Sequence, residues 1–286
     1  MTMKKITLFA AAMLCGALTV TAQNTESGHE YVDLGLPSGL KWATCNVGAT
    51  APEAYGDYYA WGETETKTNY TWSNYKFTTD GGTTFTKYNT ESSRGTVDNK
   101  TTLDPEDDAA AVNWGGKWRM PTDDEWTELR NNCTWTGVEG IPGTDTAGYI
   151  LTSKINGNSI FLPAAGCRIY DYLGRAGSSG YYWSSSLNAG SPYVAWGVNV
   201  SSDDVSRDGY GRCYGQSVRP VCEVTTPTAL AAAEMPAVYA ADGRIVCAQE
   251  FRVFDLLGRD VTRQNGTLYG VYVVKTADAA QKVVVK

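Results

Sequence analysis

The chain has 286 residues, a formal net charge of −7, and charged side chains at only 19% of its positions. This acidic balance excludes the basic surface that nucleic acid requires of a binding partner. The 30 glycines, 18 tyrosines and 9 tryptophans indicate loop-rich, aromatic β structure and exclude a mainly helical protein.

Residues 1–22 have the pattern of a secretory signal peptide. Lys4 and Lys5 form its charged start, an apolar stretch follows, and Val20-Thr21-Ala22 supplies small residues for cleavage. The apolar stretch is short for a bilayer span. We therefore expect an exported mature chain without a transmembrane segment, with a membrane anchor or lipid attachment at Cys15 as the alternatives.

The first domain, residues 23–224, begins with a predicted hairpin. Residues 31–34 and 40–47 have the composition of strands on either side of a Pro-Ser-Gly turn. Residues 63–108 are rich in Thr, Asn, Asp and Lys with scattered aromatic rings, which predicts a long polar insertion on the surface.

One helix start can be predicted from local chemistry alone. Thr122 and Glu125 form a Thr-x-x-Glu capping box, which favours a helix beginning directly after Thr122. Trp126, Leu129 and Cys133 recur at helical spacing, so we expect one apolar face that packs on a sheet.

The remaining segments predict further strands and a second domain. Strands are expected in the first domain at residues 147–154, 159–162, 181–183, 193–200 and 217–224. Residues 225–235 have the composition of a linker, and residues 236–286 contain short alternating strands that predict a small β-sandwich. The predicted fold class is α+β, mainly antiparallel β, with one short capped helix.

Several motifs together resemble the Fibrobacter succinogenes major paralogous domain. They are Tyr31-Val32-Asp33-Leu34-Gly35-Leu36-Pro37-Ser38-Gly39-Leu40-Lys41-Trp42-Ala43, Tyr58-Tyr59-Ala60-Trp61-Gly62-Glu63, Trp118-Arg119-Met120-Pro121-Thr122, Phe161-Leu162-Pro163-Ala164-Ala165-Gly166, Tyr182-Trp183-Ser184-Ser185 and Ser217-Val218-Arg219-Pro220-Val221. That family is similar to the C-type-lectin-like fold of formylglycine-generating enzymes. The resemblance implies such a fold for residues 23–224.

The tail resembles a type IX secretion C-terminal sorting domain. The matching segments are Phe251-Arg252-Val253-Phe254-Asp255-Leu256-Leu257-Gly258-Arg259, Gly270-Val271-Tyr272-Val273-Val274-Lys275 and Lys282-Val283-Val284-Val285-Lys286. This resemblance implies that residues 236–286 engage an outer-membrane secretion machinery and are cleaved, which leaves the product secreted or on the outer cell surface. Asp145-Thr146-Ala147 is similar to the O-glycosylation sequon of such bacteria, which makes Thr146 a candidate modification site.

The histidine content restricts the possible chemistry. His29, the one histidine, lies in a leader segment expected to be mobile, so Ser-His-Asp, Cys-His and His-ligated metal sites are not expected. Carboxylate mechanisms such as glycoside hydrolysis remain open. Their candidates are Asp104, Glu106, Asp107, Asp108, Asp203 and Asp204.

Six cysteines follow the leader, and none of their spacings is a CxxC metal pattern. Cys213 and Cys222 lie near the end of the domain, where formylglycine-generating enzymes carry redox cysteines, but their spacing departs from that pattern. Because the lectin-like fold implied by the resemblance brings first and last strands together, Cys45 and Cys222 are the expected disulfide pair. Cys167 with Cys213 is a second candidate.

We expect no cofactor, with calcium as the open alternative. Carboxylate and amide oxygens at Asn199, Asp203, Asp204 and Asp208 are of the type that calcium prefers, although they lack the spacing of a ligand loop.

Aromatic residues in loops are the remaining candidates for recognition, because their rings combine a large apolar face with a polar group. The expected ligand-binding residues are Tyr70, Trp72, Tyr75, Tyr170, Tyr172 and Tyr210. The predicted function is a secreted or cell-surface, non-catalytic module that binds glycan or a surface protein. A formylglycine-generating-type oxidase, a carboxylate glycosidase and a structural component of a surface assembly are the alternatives.

Overall fold

The computed structural model describes residues 24–140, 144–201, 204–224, 238–241, 244–247, 250–276 and 280–285. The chain divides into two compact units, residues 1–224 and 225–286. The predicted signal peptide, residues 1–22, and the predicted linker, residues 225–235, lie outside the described residues.

In its described residues, the first unit is built from short strands and two α-helices. Its strands are β1 (Thr25–Glu26), β2 (His29–Asp33), β3 (Lys41–Ala43), β4 (Trp118–Arg119), β5 (Cys133–Val138), β6 (Gly148–Ser153), β7 (Ser159–Pro163), β8 (Cys167–Ile169), β9 (Tyr172–Gly174), β10 (Ser179–Leu187), β11 (Val194–Ser201), β12 (Val205–Gly211) and β13 (Val221–Cys222). Its helices are α1 (Ala109–Trp114) and α2 (Asp123–Asn132).

These strands form four sheets, and every pairing between them is antiparallel. The largest sheet has the order β1-β2-β3-β13-β4, and the others are β5-β6-β7, β10-β11-β12 and the hairpin β8-β9. Val221 of β13 pairs with Trp42 of β3, so the beginning and the end of the unit meet in one sheet. The prediction of a mainly antiparallel α+β fold is confirmed.

The capped helix is present, and its capping box is confirmed. The Thr122 hydroxyl accepts from the Glu125 amide at 3.3 Å, and the Glu125 carboxylate accepts from the Thr122 amide at 2.8 Å. Trp126 and Leu129 are buried against the sheets, whereas Cys133 already belongs to β5.

The prediction of a single helix is wrong, because α1 precedes α2. Asp108 caps α1 by accepting from the Ala110 and Ala111 amides at 2.8 and 3.0 Å. This helix has only six residues, which is too short for a helical hydrophobic period to appear in the sequence.

Residues 63–108 are not a surface insertion, because their aromatic rings fill much of the core. Tyr75, Phe77 and Tyr88 are each at most 5% exposed. The buried Tyr75 hydroxyl donates to the Trp61 carbonyl at 2.7 Å, which satisfies its polar end. Each ring stands among polar neighbours along the chain, so no hydrophobic period marks it.

Arg212 is fully buried among these rings. Its guanidinium carbon lies 4.6–6.0 Å from the ring centroids of Trp61, Tyr75, Phe77, Phe85 and Tyr88. It donates to the Tyr75 hydroxyl and to the carbonyls of Lys87, Tyr88 and Pro192 at 2.8–3.1 Å. No carboxylate pairs with it in the described part of the chain, so aromatic faces and carbonyl oxygens take the place of a counter-ion.

The second unit contains five short strands with a core of their own. They are β14 (Tyr239–Ala241), β15 (Arg244–Val246), β16 (Arg252–Phe254), β17 (Gly270–Lys275) and β18 (Ala280–Val285). β14-β15 and β16-β17-β18 form two antiparallel sheets. Both sheets contribute to one apolar cluster that contains Ile245, Val253, Val274 and Val283.

Among the residues that the structure describes, no helix has both the length and the apolar character needed to cross a bilayer.

Replacement of Arg212 by lysine should lower the free energy of unfolding of the first unit by about 3 kcal/mol, because lysine keeps the charge but leaves buried acceptors without donors. All nine tryptophans precede residue 197, so urea unfolding followed by tryptophan fluorescence reports on this unit. Arg175→Lys, at an exposed position, is the matched control and should change stability by less than about 0.5 kcal/mol. Equal midpoints for wild type and Arg212→Lys would contradict this role.

Glu125 should make stability depend on pH. Burial opposes its ionisation, but two hydrogen bonds from Arg119 at 2.6 and 2.7 Å and one from the Thr122 amide outweigh it and hold the pKa below the ordinary 4.5. A pKa that is lowered by folding adds stability above the unfolded pKa, and that stability is lost as the pH falls.

We therefore expect Glu125→Gln to cost about 1–2 kcal/mol at neutral pH, with the difference from wild type shrinking as the pH falls through 4.5 and below. Urea unfolding at several pH values measures this difference. Glu139→Gln, at an exposed glutamate, is the control. A stability difference between wild type and Glu125→Gln that stays constant across the pH range would contradict a lowered pKa of Glu125.

Candidate functional site

The hairpin of β8 and β9 ends in a tight turn that presents two tyrosines. Ile169 pairs with Tyr172, so Tyr170 and Asp171 form the two-residue turn. Tyr170 has φ +58°, a left-handed conformation that is uncommon for a residue other than glycine. The side chains of Tyr170 and Tyr172 are 64% and 70% exposed.

Backbone hydrogen bonds fix this turn to the rest of the unit. Tyr170 exchanges two of them with Tyr70, at 2.8 and 3.1 Å, and Arg168 exchanges two with Gly215, at 2.7 and 2.9 Å. The Tyr70 hydroxyl donates in turn to the Tyr58 carbonyl. A Cβ on Gly215 would lie 2.6 Å from the Tyr70 ring, so this close approach requires glycine.

A polar cleft of about 460 Å³ lies beside the turn. Its lining combines carboxylates, cations, hydroxyls and aromatic rings from Gly56, Asp57, Tyr58, Thr66, Lys67, Thr68, Tyr70, Arg168 and Asp171. Three segments converge on it, at residues 56–58, 66–70 and 168–171. We call this surface the binding cleft.

The charged side chains of the binding cleft differ in whether they form an ion pair within the protein. Lys67 pairs with Glu63 at 2.7 Å, so its charge is already neutralised. Arg168 has no carboxylate partner among the described residues, and Asp57 and Asp171 are exposed. The cleft therefore offers a guanidinium donor and two carboxylate acceptors to a ligand.

Two buried tyrosines contribute ring surface to the binding cleft. The Tyr58 hydroxyl donates to the Ala165 carbonyl at 2.5 Å, and the Tyr70 hydroxyl is bonded to the Tyr58 carbonyl. Burial raises the pKa of Tyr58 to about 12, against the opposing charge of Arg168, whose guanidinium carbon lies 5.2 Å from the Tyr58 ring centroid. Both phenols are therefore neutral, and their protons are already donated within the protein.

Two further cavities have linings without any residue of the β8-β9 hairpin. One, of about 440 Å³, is lined by Gly137, Val138, Glu139, Ala147, Gly148, Tyr149, Ala164, Gly177 and Ser178 and lacks a cation. The other, of about 370 Å³, lies in the second unit and is lined by Glu250, Phe251, Arg252, Phe254, Lys275 and Thr276. It also combines charged groups with aromatic rings, but the binding cleft alone of these three borders the exposed turn of Tyr170 and Tyr172.

The predicted ligand-binding aromatic residues differ widely in their exposed fraction. Tyr170 and Tyr172 are exposed, whereas Tyr70 and Tyr75 are each only 2% exposed. The prediction is wrong for Tyr75, whose ring belongs to the core around Arg212. Tyr70 reaches the binding cleft as part of its wall and not as a loop residue free to move.

Trp72 and Tyr210 are half-buried and lie outside the lining of the binding cleft. Trp72 packs edge-on against Tyr75 at 5.5 Å between ring centroids. Tyr210 packs against Tyr181 at 5.6 Å, and its hydroxyl donates to Asp208 at 3.2 Å. The surrounding fold therefore fixes both rings.

Sequence reasoning missed the polar residues of the binding cleft. They are Asp57, Thr66, Lys67, Thr68, Arg168 and Asp171. Tyr170-Asp171 is not one of the residue pairs that mark a two-residue hairpin turn in a sequence. These six residues come from three separate segments of the chain, and no spacing predicts that the segments meet.

The expected disulfide between Cys45 and Cys222 is absent, which corrects that prediction. Both residues have free thiols, as have the other cysteines of the described chain, Cys133, Cys167, Cys213 and Cys247. The two strands do meet, but Cys222 pairs with Lys41. Cys45 lies four positions after Lys41, a spacing on the order of 10 Å, beyond the reach of a disulfide.

Cys213 and Cys222, the candidate redox cysteines, are 1% and 0% exposed. Burial raises the pKa of both thiols to about 12. This environment disfavours the thiolate, which is the reactive form.

Asp104, Glu106 and Asp107 form an acidic cluster whose ligand atoms lie within 4.8 Å of one another. The ammonium of Lys87 lies among them, at 2.7, 3.2 and 2.5 Å respectively. Burial would raise the pKa of Asp107, but Lys76 and Lys87 outweigh it and lower it. This lysine occupies the place that a bound cation would take, so the cluster is a salt-bridge network.

The other carboxylate candidates do not form an acid pair within the described chain. Asp108 is buried and accepts from the amides of Ala110, Ala111 and Met120, which caps α1. Asp204 is exposed, and Asp203 lies outside the described residues.

The residues proposed for calcium are not assembled into a site within the described chain. Asn199 pairs with Ser206 across β11 and β12, and Asp208 pairs with Gly197. The Asp208 carboxylate accepts from the Ser206 and Tyr210 hydroxyls at 2.9 and 3.2 Å.

His29 belongs to β2, so its prediction as part of a mobile leader is wrong. Its ring stacks on Trp114 at 3.8 Å between centroids and meets Trp118 edge-on at 6.5 Å. Burial lowers its pKa. The first unit therefore contains one imidazole, held in an aromatic contact.

Comparison with protein-family models, with curated proteins and with solved structures finds no match to this chain.

Proposed function

We propose that this chain is a secreted or cell-surface, non-catalytic module that binds glycan in the binding cleft. The observation that carries the proposal is the position of two highly exposed tyrosines beside a cleft whose Arg168 and Asp171 side chains have no hydrogen-bond partner among the described residues. Tyr170 and Tyr172 flank Asp171, which lines the cleft together with Arg168.

The chemistry of the cleft matches that of a sugar. A sugar ring has an apolar face that stacks on aromatic rings and a rim of hydroxyls that both donate and accept hydrogen bonds. Asp57 and Asp171 supply acceptors, Arg168 supplies donors, and the Thr66 and Thr68 hydroxyls can do either.

Surface composition favours glycan over a protein partner. Besides Tyr170 and Tyr172, four large apolar residues are exposed in the described part of the first unit: Val97, Val112, Ile155 and Tyr193. Their exposed fractions are 37–53%, and no two of them are neighbours in the sequence. A stable protein interface buries about 800 Å² on each partner around an apolar centre. A small aromatic surface bordered by charges and hydroxyls fits a sugar better.

The backbone of Tyr170 supports a functional role for its ring. A left-handed conformation costs a non-glycine residue on the order of 1 kcal/mol, and glycine would avoid that cost. Such strain concentrates at ligand-binding positions.

We also propose that the first unit has the C-type-lectin-like fold. The pairing of β3 with β13, which joins its two ends, supports this proposal. So does the position of α2, where the Trp126 indole donates to the Trp183 carbonyl at 3.1 Å. Arg119-Met120-Pro121-Thr122, the motif of the resemblance, leads directly into that helix.

The second unit is proposed as a type IX sorting domain that is removed during export. Its separate apolar core and five short strands support a unit that can be recognised and cleaved without loss of the first. Thr146, the proposed glycosylation site, is half-buried beside the start of β6.

Tyr170→Ala should weaken glycan binding about tenfold, because removal of one stacked ring costs roughly 1.4 kcal/mol. A glycan array of plant, host and bacterial polysaccharides identifies the ligand, and calorimetry with that polysaccharide measures the loss. Tyr193→Ala is the matched control, because Tyr193 is 43% exposed but belongs neither to the β8-β9 hairpin nor to the cleft lining, and its ring faces the Arg94 guanidinium at 5.6 Å.

The proposal fails if no polysaccharide on the array binds the wild-type protein. It also fails if Tyr193→Ala and Tyr170→Ala weaken binding equally, since the site would then lie elsewhere.

The sorting-domain proposal predicts a shortened product. When the full chain is expressed in a bacterium with type IX secretion, we expect the exported protein to end between residues 225 and 236, because the tail would be cleaved in the linker. Intact mass spectrometry of the culture medium and cell surface measures this end. An exported protein that still ends at Lys286 would count against cleavage.

A further inference from the structure

Aromatic surface continues beyond the binding cleft through Tyr214, a residue that the sequence analysis did not select. Its neighbour Gly215 exchanges backbone hydrogen bonds with Arg168, which places Tyr214 beside the hairpin. The same hairpin carries Tyr170 in its turn, two residues after Arg168.

Trp72 lies next to Tyr214. A Cβ on Gly211 would lie 3.6 Å from Tyr214 Cζ and 3.5 Å from Trp72 Cζ2, so both rings border the same glycine. We call Tyr170, Tyr214 and Trp72 the aromatic row. Tyr170 is exposed, and the other two rings are half-buried.

The aromatic row is held in place along its length. The Trp72 ring packs against Phe85 at 5.9 Å between centroids and covers Gly82, where a Cβ would lie 2.7 Å away. Tyr170 is fixed through its two backbone hydrogen bonds to Tyr70. Rings fixed before binding lose little conformational entropy when a ligand stacks on them.

The row and the cleft differ in chemistry. The binding cleft contains the free guanidinium of Arg168 and the exposed carboxylates of Asp57 and Asp171, which fix a ligand's orientation. The row adds apolar contact outside that cleft. A single terminal sugar would use the cleft alone and leave the rest of the row uncovered.

We infer that the ligand is an internal segment of a linear polysaccharide, which occupies the binding cleft and the aromatic row together; this rests on the proposed glycan-binding function. Several consecutive sugar rings would contact the protein. Those in the cleft would form hydrogen bonds, and those beyond it would stack on Tyr214 and Trp72. Affinity should therefore grow with the number of sugar units.

The test uses oligosaccharides of one to six units, prepared from the polysaccharide that gives the strongest array signal. Calorimetry with the full chain should show affinity that rises at least tenfold from the shortest bound oligosaccharide to the longest. Tyr214→Ala should lower affinity for the longest about tenfold and leave the shortest unchanged. Tyr214→Phe keeps the ring and should bind as wild type does.

Tryptophan fluorescence checks that Tyr214→Ala is folded. If the variant does not fold, the affinities of the wild-type protein for oligosaccharides of one to six units still test the inference. Equal affinity for all lengths would overturn the inference while leaving glycan binding intact. The same loss for Tyr214→Ala with the shortest and longest oligosaccharides would also overturn it. An array without any signal would instead overturn the proposed function and this inference with it.

Discussion

The buried guanidinium of Arg212 organises the first unit. By binding the carbonyls of Lys87 and Tyr88 and facing five aromatic rings, it holds the polar stretch at residues 63–108 against the sheets. That stretch also carries Thr66, Lys67 and Tyr70, which form one wall of the binding cleft. The hydrogen bonds and ring contacts of Arg212 therefore help to fix the shape of the cleft, although Arg212 does not line it.

The features that the sequence predicted correctly are those set by neighbouring residues. The capping box of Thr122 and Glu125 depends on four consecutive positions, and it fixes the start of α2. The sequence likewise predicts strands at residues 147–154 and 159–162, where the structure has the paired strands β6 and β7. These patterns determine the class of fold, since the energies that favour them act within one turn or one hairpin.

The features that the sequence could not predict depend on residues far apart in the chain. The inward position of Tyr75 depends on Arg212, 137 residues later. The separation of Cys45 from Cys222 depends on the register between β3 and β13, which composition does not encode. In the same way, Lys87 neutralises carboxylates that follow it by 17 to 20 residues, and so turns an apparent catalytic cluster into a structural one.

The left-handed turn at Tyr170 places two demands on one residue. Its backbone favours glycine, whereas the proposed contact with a sugar favours an aromatic ring. A change to glycine there would relax the hairpin and stabilise the protein, but it would also remove the ring on which the proposed glycan binding depends. Stability and the proposed binding therefore make opposite demands on this position.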